Sequence, residues 1–134
     1  MTYAIRPAEP ADIAAMNRLG SELGWHLTAT DDNEDLLPLA TADAAYVCVE
    51  EREIIGWVYC ANRTGWEYRG IDRLLVHPAH RNQGIARALV QQVLDDFPHE
   101  EVLIAAWDRD LRNFYEKLGF RVDNHNNMTR LPRD

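Results

Sequence analysis

The sequence predicts an α/β fold (α+β in some classifications), with a mixed central sheet of about six to seven strands and about four flanking helices. From Leu74 to Phe97, a short apolar strand, a polar loop and an amphipathic helix follow one another, and a further apolar stretch begins at Val102. Two strands joined in this way by a helix are parallel, with a right-handed crossover. By contrast, the tight polar turn between Ala45–Glu50 and Ile54–Ala61 predicts an antiparallel hairpin. The sheet should therefore combine both kinds of pairing.

Length and composition fit one domain that spans residues 1–134. A chain of 134 residues is long enough for one hydrophobic core, and 46% hydrophobic residues is typical of folded proteins. No apolar run approaches the roughly 20 residues of a membrane span, and the N-terminus has no signal-peptide core, so a cytoplasmic location is expected. Cys48 and Cys60 should be buried apolar residues, and five histidines without ligand spacing predict no metal site.

The N-terminal part is expected to form a short strand, Tyr3–Arg6, followed by a helix. Glu9-Pro10-Ala11-Asp12 is typical of a helix start, since proline is tolerated in the first turn and acids are favourable at the positive end of the helix dipole. Gly24 would end this helix. Its buried face would consist of Ile13, Met16, Leu19 and Leu23.

The segment 25–42 is expected to contain a second short helix, capped by Asp31 together with Glu34 and bent or begun near Pro38. After the hairpin, Trp66–Val76 is predicted to be a long third strand. The crossover helix is predicted over 81–97 and the strand that follows it over Val102–Trp107.

The C-terminal part is expected to form one more helix and two strands. Gly119 would end the helix at the C′ position, and Phe120–Asp123 and Met128–Leu131 would complete the sheet. The apolar stripe of the helix consists of Leu111, Phe114, Tyr115 and Leu118.

Charge is distributed unevenly along the chain. The net charge of −8 argues against nucleic acid as a partner, because phosphate neutralisation requires a basic surface. Residues 28–53 contain eight acids and a single base, Arg52, whereas residues 73–94 contain three arginines and no acid. The loop before the crossover helix is therefore free of negative charge and suited to an anion.

This loop also has the backbone features of an anion site. Arg81 and Gly84 lie where a new helix leaves its first N–H groups unpaired, and glycine permits close approach of a ligand. Phosphate is the most natural occupant. The alternative is a turn glycine without a ligand.

Two motifs resemble those of the GNAT superfamily of N-acetyltransferases. Arg81-Asn82-Gln83-Gly84-Ile85-Ala86 resembles the R/Q-x-x-G-x-G/A motif with which that superfamily binds acetyl-CoA, and it follows a strand that ends Leu-Leu-Val-His-Pro. About thirty residues downstream, Asn113–Phe120 resembles the superfamily's FYEKLGF segment. The order of the predicted elements is similar to the GNAT fold over nearly the whole chain.

The resemblance implies acetyl-CoA as a co-substrate, without a metal. The amides from Asn82 to Ala86 would bind its pyrophosphate, with charge supplied by Arg81 and by Arg87. Leu75 and Val76 would pair with the pantetheine arm through their main chain, like an added strand. Asn113 would contact CoA, or else lie on the helix surface.

Tyr115 aligns with the superfamily's tyrosine that donates a proton to the departing CoA sulfur, and a phenol with a pKa near ~10 is protonated at neutral pH. The alternative is a tyrosine packed in the core beside Phe114. For the general base, Asp72 is the predicted residue and Glu67 a weaker candidate. In similar relatives the acid aligns with Arg73, one residue further, so a bulge would be needed to restore its face. Asp72 would otherwise pair with Arg73.

The acceptor pocket is placed by resemblance in the segment 25–42 and along the strands. Trp25, Asp31, Trp57 and Trp66 are the predicted substrate-binding residues, with Asp32, Glu34 and Asp35 as further acids for amine recognition. The alternative is a solvated capping cluster beside core tryptophans.

The predicted function is acetyl transfer from CoA to a primary amine of a small molecule, either an arylalkylamine or a polyamine. A protein N-terminus or lysine is the second acceptor class, and a non-catalytic acyl-CoA-binding module is the alternative from another class. A monomer or a homodimer is expected, with no nucleic-acid or membrane partner.

Overall fold

The computed structural model describes residues 3–22, 42–61, 68–105, 109–122 and 127–131. Within these ranges the chain forms seven strands and three α-helices. The strands are β1 (Ala4–Pro7), β2 (Ala42–Glu50), β3 (Glu53–Ala61), β4 (Tyr68–Val76), β5 (Glu101–Ala105), β6 (Arg121–Val122) and β7 (Asn127–Arg130). The helices are α1 (Ile13–Glu22), α2 (Ile85–Asp96) and α3 (Arg109–Glu116), and 3₁₀ turns at Pro10–Asp12 and Pro78–His80 precede α1 and α2.

The strands form one mixed sheet in the order β1-β2-β3-β4-β5-β7-β6. β4 and β5, which α2 connects, are parallel, and the other described neighbours are antiparallel. The predicted mixed sheet with a parallel crossover pair is therefore confirmed. Each half of the sheet is a set of antiparallel strands, and the parallel pair joins the halves.

The start of α1 is fixed by its preceding acids. The N–H of Glu9 donates to Asp12 Oδ2 at 2.7 Å, and Arg6 donates to both oxygens of the same carboxylate at 2.7 and 3.1 Å. A carboxylate at a helix N-terminus satisfies an N–H group that has no intrahelical partner. The predicted helix start at residues 9–12 is confirmed, with a 3₁₀ turn before the α-helix.

The β2–β3 hairpin closes with two residues of positive φ. Glu51 has φ of 50° and Arg52 of 69°, and Glu50 pairs with Glu53 across the turn. Positive φ at both central residues is the geometry that suits the twist of a two-residue hairpin. The predicted hairpin is confirmed, although neither turn residue is glycine or asparagine.

Apolar side chains pack on both faces of the sheet. On one face, α2 and α3 cover the larger core, in which Leu89, Val93 and Phe120 are buried. On the other face, Met16 and Leu19 of α1 pack against Trp57 and Tyr59 of β3. Trp57 and Tyr59 therefore share a face, as their spacing predicts.

α3 ends in a pair of hydrogen bonds around a left-handed glycine. Gly119 has φ of 100°, its N–H donates to Glu116 O at 3.0 Å, and the N–H of Phe120 donates to Tyr115 O at 3.1 Å. This is the Schellman arrangement, in which glycine at C′ satisfies the last carbonyls of a helix. Gly119 is confirmed as the residue that ends this helix.

Several predicted boundaries shift. The crossover helix begins at Ile85 rather than at residue 81, because residues 81–84 form a turn that leads into it. In the described residues the third strand spans Tyr68–Val76, and the strand after α2 begins at Glu101, one residue before its predicted start. The predicted boundaries at Trp66 and Trp107 lie outside the described residues. The predictions for 23–41, including the second short helix and Gly24, lie outside the described residues. In the part of the chain that is described, no helix has the length and apolar character needed to cross a membrane.

Candidate active site

β4 contains a bulge at Asp72. Arg73 pairs with Tyr59 and Ile71 pairs with Cys60, so two adjacent residues of β3 face residues of β4 that are two positions apart. A bulge bends the strand and interrupts its alternation of faces. Ile71 accordingly packs in the core beneath α2 and α3, whereas Leu75 packs beside Trp57 on the α1 face. The side chain of Asp72 itself is not described, but β4 has a bulge at this position, as the proposal of Asp72 as the base requires.

Beyond the bulge, β4 parts from β5. The parallel pairing runs from Tyr68 with Glu101 to Ile71 with Ile104, and no described residue of β5 pairs with 73–76. A strand whose far edge is unpaired offers its main-chain groups to another extended chain. The C-terminal half of β4 therefore forms one side of a gap in the sheet.

The hydrogen-bond register shows which residues face this gap. The N–H of His77 donates to Ile55 O at 2.8 Å, so the next pair along the strands, Gly56 and Val76, is a non-hydrogen-bonded pair. Hydrogen-bonded and non-hydrogen-bonded pairs alternate along antiparallel strands, so Leu75 and Trp57 form a hydrogen-bonded pair. The main-chain groups of Leu75 consequently point towards Trp57. Those of Leu74 and Val76 point into the gap. The pairing of Leu75 with the pantetheine arm stays a prediction; in the structure its main chain faces β3, whereas the main-chain groups of Leu74 and Val76 face away from β3.

The chain after β4 folds into a loop of alternating backbone geometry. Asn82 has φ of 65° and Gly84 has φ of 81°, on either side of Gln83. The first intrahelical bond of α2 runs from the N–H of Ala88 to Gly84 O at 3.0 Å. The amides of Ile85, Ala86 and Arg87 therefore precede the hydrogen-bonded part of the helix. A left-handed residue followed by helix-start amides forms a concave group of N–H donors that suits an anion.

Two contacts hold this loop. Arg81 Nε donates to Val76 O at 3.3 Å, which ties the loop to the end of β4. Tyr3, just before β1, lies with its hydroxyl 3.5 Å from Gln83 O and 4.0 Å from the position of a Cβ on Gly84. The Gln83 Oε1 atom is buried and has no hydrogen-bond partner among the described residues. Tyr3 belongs to the site region although it lies 80 residues from the loop, and no local pattern in the sequence signals this contact.

Tyr115 lies on α3 and is 3% exposed. Its ring makes edge-on contacts with Phe114 and Phe120, at centroid distances of 4.9 and 5.4 Å. Burial raises the pKa of its phenol well above the ordinary value of 10, because the charged phenolate would lose hydration. Its hydroxyl makes no hydrogen bond to the described part of the chain. Tyr115 therefore combines a core environment with a protonated hydroxyl, so the two readings of its role are compatible.

The remaining predicted residues are placed as follows. Asn113 is exposed on α3, and Arg81 and Arg87 are exposed near the start of α2. Trp57 is fully buried, and its indole N–H donates to Met16 O at 3.1 Å, so it belongs to the core below α1. Trp25, Asp31, Trp66 and Glu67 lie outside the described residues, as do Asp32, Glu34 and Asp35.

Comparison with known proteins assigns the family. The model of the acetyltransferase (GNAT) family matches residues 14–120, which is most of the chain. The protein therefore belongs to the GNAT family of acetyltransferases and is an enzyme of the N-acetyltransferase class. No curated protein matches the sequence significantly.

Solved structures share the fold at low sequence identity. A GNAT family acetyltransferase from Streptococcus pneumoniae is 22% identical, with a TM-score of 0.74 over 90% of this chain and 89% of that one. One from Brucella melitensis, solved in complex with acetyl-CoA, is 18% identical, with a TM-score of 0.73 over 96% and 86%. Arabidopsis thaliana Naa50, in complex with the bisubstrate analogue CoA-Ac-MVNAL, is 17% identical, with a TM-score of 0.70 over 92% and 86%.

Proposed function

We propose that this protein transfers the acetyl group of acetyl-CoA to the primary amine of a small molecule. The observation that carries the proposal is the continuity between two features of the chain. The edge of β4 at Leu74 and Val76, which no described strand pairs, runs directly into the amide-rich loop that opens α2. The pantetheine arm of CoA has the complementary groups in the same order, because its amides can pair with a strand edge and its pyrophosphate can accept from the loop amides.

The loop would bind the pyrophosphate. The amides of Asn82, Gln83, Gly84, Ile85 and Ala86 supply donors. Arg81 and Arg87 supply positive charge in a protein of net charge −8. The positive φ of Gly84 is accessible to glycine without strain, and Gly84 is exposed. The complex of the Brucella melitensis relative with acetyl-CoA supports this ligand.

The pantetheine arm would lie in the gap beside β4. Its two amides would exchange hydrogen bonds with the main chain of Leu74 and Val76, as a short strand added to the sheet. This places the thioester towards the bulge at Asp72, where β4 and β5 part. Asn113, which is exposed on α3, remains the candidate for a further CoA contact.

The reaction follows from the chemistry of these groups. The neutral amine attacks the thioester carbonyl, the new C–N bond forms, and the C–S bond breaks as the CoA thiolate leaves. The amine loses one proton to the base, the thiolate gains one from the hydroxyl of Tyr115, and solvent then returns a proton to the phenolate. A lysine-like amine with a pKa of ~10.4 requires about 4.6 kcal/mol to become neutral at pH 7, so a base or a relaying water accelerates the step substantially.

Asp72 is the proposed base. The bulge interrupts the alternation of β4 at this residue, and this irregularity supports the proposal, because the sequence places the acid one residue before the position of the acid in similar relatives. In Asp72→Asn we expect kcat to fall about 10²- to 10⁴-fold and its dependence on pH to flatten on the acid side. An unchanged pH profile would assign deprotonation to another group, with Glu67 as the next variant.

A small amine is the proposed acceptor. The aromatic residues Trp25 and Trp66 would suit an arylalkylamine, and the acids of 28–53, Asp31 among them, would suit a polyamine. Trp57 would shape the pocket from below, because it is buried under α1 rather than open to solvent.

A peptide N-terminus is the second acceptor class, supported by the similarity to a relative solved with a bisubstrate analogue that carries the peptide MVNAL. One assay separates the classes. Release of CoA thiol is measured with acetyl-CoA and a panel of arylalkylamines, polyamines, free lysine and short peptides. Turnover with small amines and none with peptides is expected. Preference for peptides would contradict the small-molecule proposal, and tight acetyl-CoA binding with no turnover on any acceptor would favour a non-catalytic binding module.

A further inference from the structure

The acetyl-transfer proposal leaves one cavity of the structure unused. It has a volume of about 540 Å³ and lies between α1, the β2–β3 hairpin and the 3₁₀ turn at Pro78–His80. This volume is within the usual range for small-molecule sites, about 300–1,000 Å³. None of the residues assigned to CoA lines it, so the cavity is not part of the proposed cofactor path.

The walls of the cavity are charged with both signs. Arg18 and Glu22 extend from α1, and Arg52 and Glu53 extend from the hairpin on the other side. None of these four forms an ion pair with any other described residue. The remaining charged pair of the lining, Arg6 and Asp12, satisfies itself through two hydrogen bonds.

The floor of the cavity is apolar. Leu19 of α1 and Ile54 of β3 line it, and both belong to the hydrophobic cluster on this face of the sheet. The balance of two cations and two anions above an apolar floor does not favour an anion or a cation alone. It matches a molecule that carries a carboxylate, an ammonium group and an apolar side chain.

We propose that this cavity, between α1 and the β2–β3 hairpin, binds a small zwitterion of the amino acid or dipeptide class. Arg18 and Arg52 bind the carboxylate, Glu22 and Glu53 bind the ammonium group, and the apolar side chain rests on Leu19 and Ile54. Charge-assisted hydrogen bonds of this kind are stronger than neutral ones and impose orientation.

The cavity adjoins the loop at residues 81–84 through the wall that the 3₁₀ turn forms. His77 and His80 line the cavity, and the N–H of Arg81 donates to Pro78 O at 3.4 Å within the same turn. The Nδ1 atom of His77 accepts from the N–H of Ala79 at 3.0 Å, which fixes the ring in that turn. A ligand in the cavity therefore contacts the residues that lead into the loop.

The experiment compares three related probes that differ in which terminal charges they carry. Glycyl-leucine carries both groups, N-acetyl-glycyl-leucine only the carboxylate, and glycyl-leucine amide only the ammonium group. Binding to the whole protein without acetyl-CoA is followed by amide chemical shifts in ¹⁵N NMR. Glycyl-leucine should shift residues 15–22 and 52–55 and bind at least about tenfold more tightly than either analogue, since each lost charge-assisted bond weakens binding. Equal affinities, or no shifts in these segments, would overturn the proposal.

Charge-neutralising variants test the walls. Arg52→Gln and Glu53→Gln should each weaken glycyl-leucine binding at least about tenfold. The matched controls Glu51→Gln, on the same hairpin but outside the cavity, and Arg121→Gln on β6 should leave it unchanged. If the hairpin variants bind as well as the controls, the assignment of the walls is wrong. Because no turnover is measured, this outcome is independent of the acetyl-transfer proposal.

Discussion

Tyr115 illustrates how a core residue acquires a chemical role. Its ring is packed between Phe114 and Phe120, and this burial is also what raises the pKa of its phenol. A phenol that stays protonated is available as a proton donor over the whole physiological pH range. The packing therefore keeps the hydroxyl of Tyr115 protonated, which the proposed role as a proton donor requires.

Replacing Tyr115 by phenylalanine should remove the proton donor and keep the packing. We expect kcat to fall about 10²- to 10⁴-fold with little change in the KM for acetyl-CoA. Steady-state kinetics at several pH values measures both parameters. Tyr46→Phe is the matched control, because the hydroxyl of Tyr46 on β2 donates to Asp96 at the end of α2 and has no proposed role in the reaction. This variant should keep kcat within about twofold of wild type. Full kcat in Tyr115→Phe at every pH would eliminate the acid role.

Gly84 is the second residue on which the proposed site depends. Its φ of 81° costs an L-residue roughly 1–2 kcal/mol, and a glutamate there would add a negative charge beside the bound pyrophosphate. Calorimetry should show the Kd for acetyl-CoA rising about tenfold or more in Gly84→Glu and less in Gly84→Ala. Gly119→Ala places the same strain at φ of 100° at the end of α3 and should lower stability while preserving affinity. Equal affinity in wild type and Gly84→Glu would remove the loop from the site.

At the scale of elements, the structure clarifies what the sequence can and cannot predict. The hairpin, the crossover helix and the end of α3 depend on local signals, such as the polar turn at 51–53 and Gly119, and they were predictable. The bulge at Asp72 and the direction of the main-chain groups of Leu74 depend on which residues of β3 lie opposite them. The sequence of β4 alone does not determine this pairing. The contact of Tyr3 with Gln83 spans 80 residues and has no local signal.

The N-terminal cap of α1 is an element held by one carboxylate. The bond from Arg6, assisted by the N–H of Glu9, lowers the pKa of Asp12 below its ordinary value, although burial opposes this. A lowered pKa means that Asp12 contributes stability above the unfolded-state pKa, near ~3.9, and that this contribution is lost as the pH falls through the folded-state pKa.

Asp12→Asn should therefore lower the free energy of unfolding by about 1 kcal/mol at pH 7, and the difference from wild type should shrink below about pH 4. Urea denaturation at a series of pH values gives both quantities. Glu116→Gln, an exposed change on α3, is the control. A difference that persists unchanged at pH 3 would show that the carboxylate charge is not the cause.

At the scale of the whole molecule, two phenols should make the fold sensitive to alkali. Burial, followed by the bond to Asp96, raises the pKa of Tyr46 to about 12, and burial also raises that of Tyr115. Both raised values mean that stability is fully present below the unfolded-state pKa near ~10 and is lost as the pH rises through the folded-state values. We expect urea midpoints to fall above about pH 10, and to fall less steeply in Tyr115→Phe. Parallel curves for the two proteins would contradict a buried Tyr115.

The parting of β4 from β5 divides the sheet into two blocks, which four residue pairs between β4 and β5 and the helix α2 join in the described part of the chain. A cofactor bound in the gap would pair with β4 as a further strand does. Amide hydrogen exchange would detect this pairing at individual residues. Without ligand, the amides of Leu74 and Val76 should exchange quickly and that of Leu75, which faces Trp57, slowly. Saturating acetyl-CoA should slow Leu74 and Val76 and leave Leu75 unaltered. The opposite pattern would show that the main chain of Leu75, and not that of Leu74 and Val76, faces the gap and pairs with the cofactor.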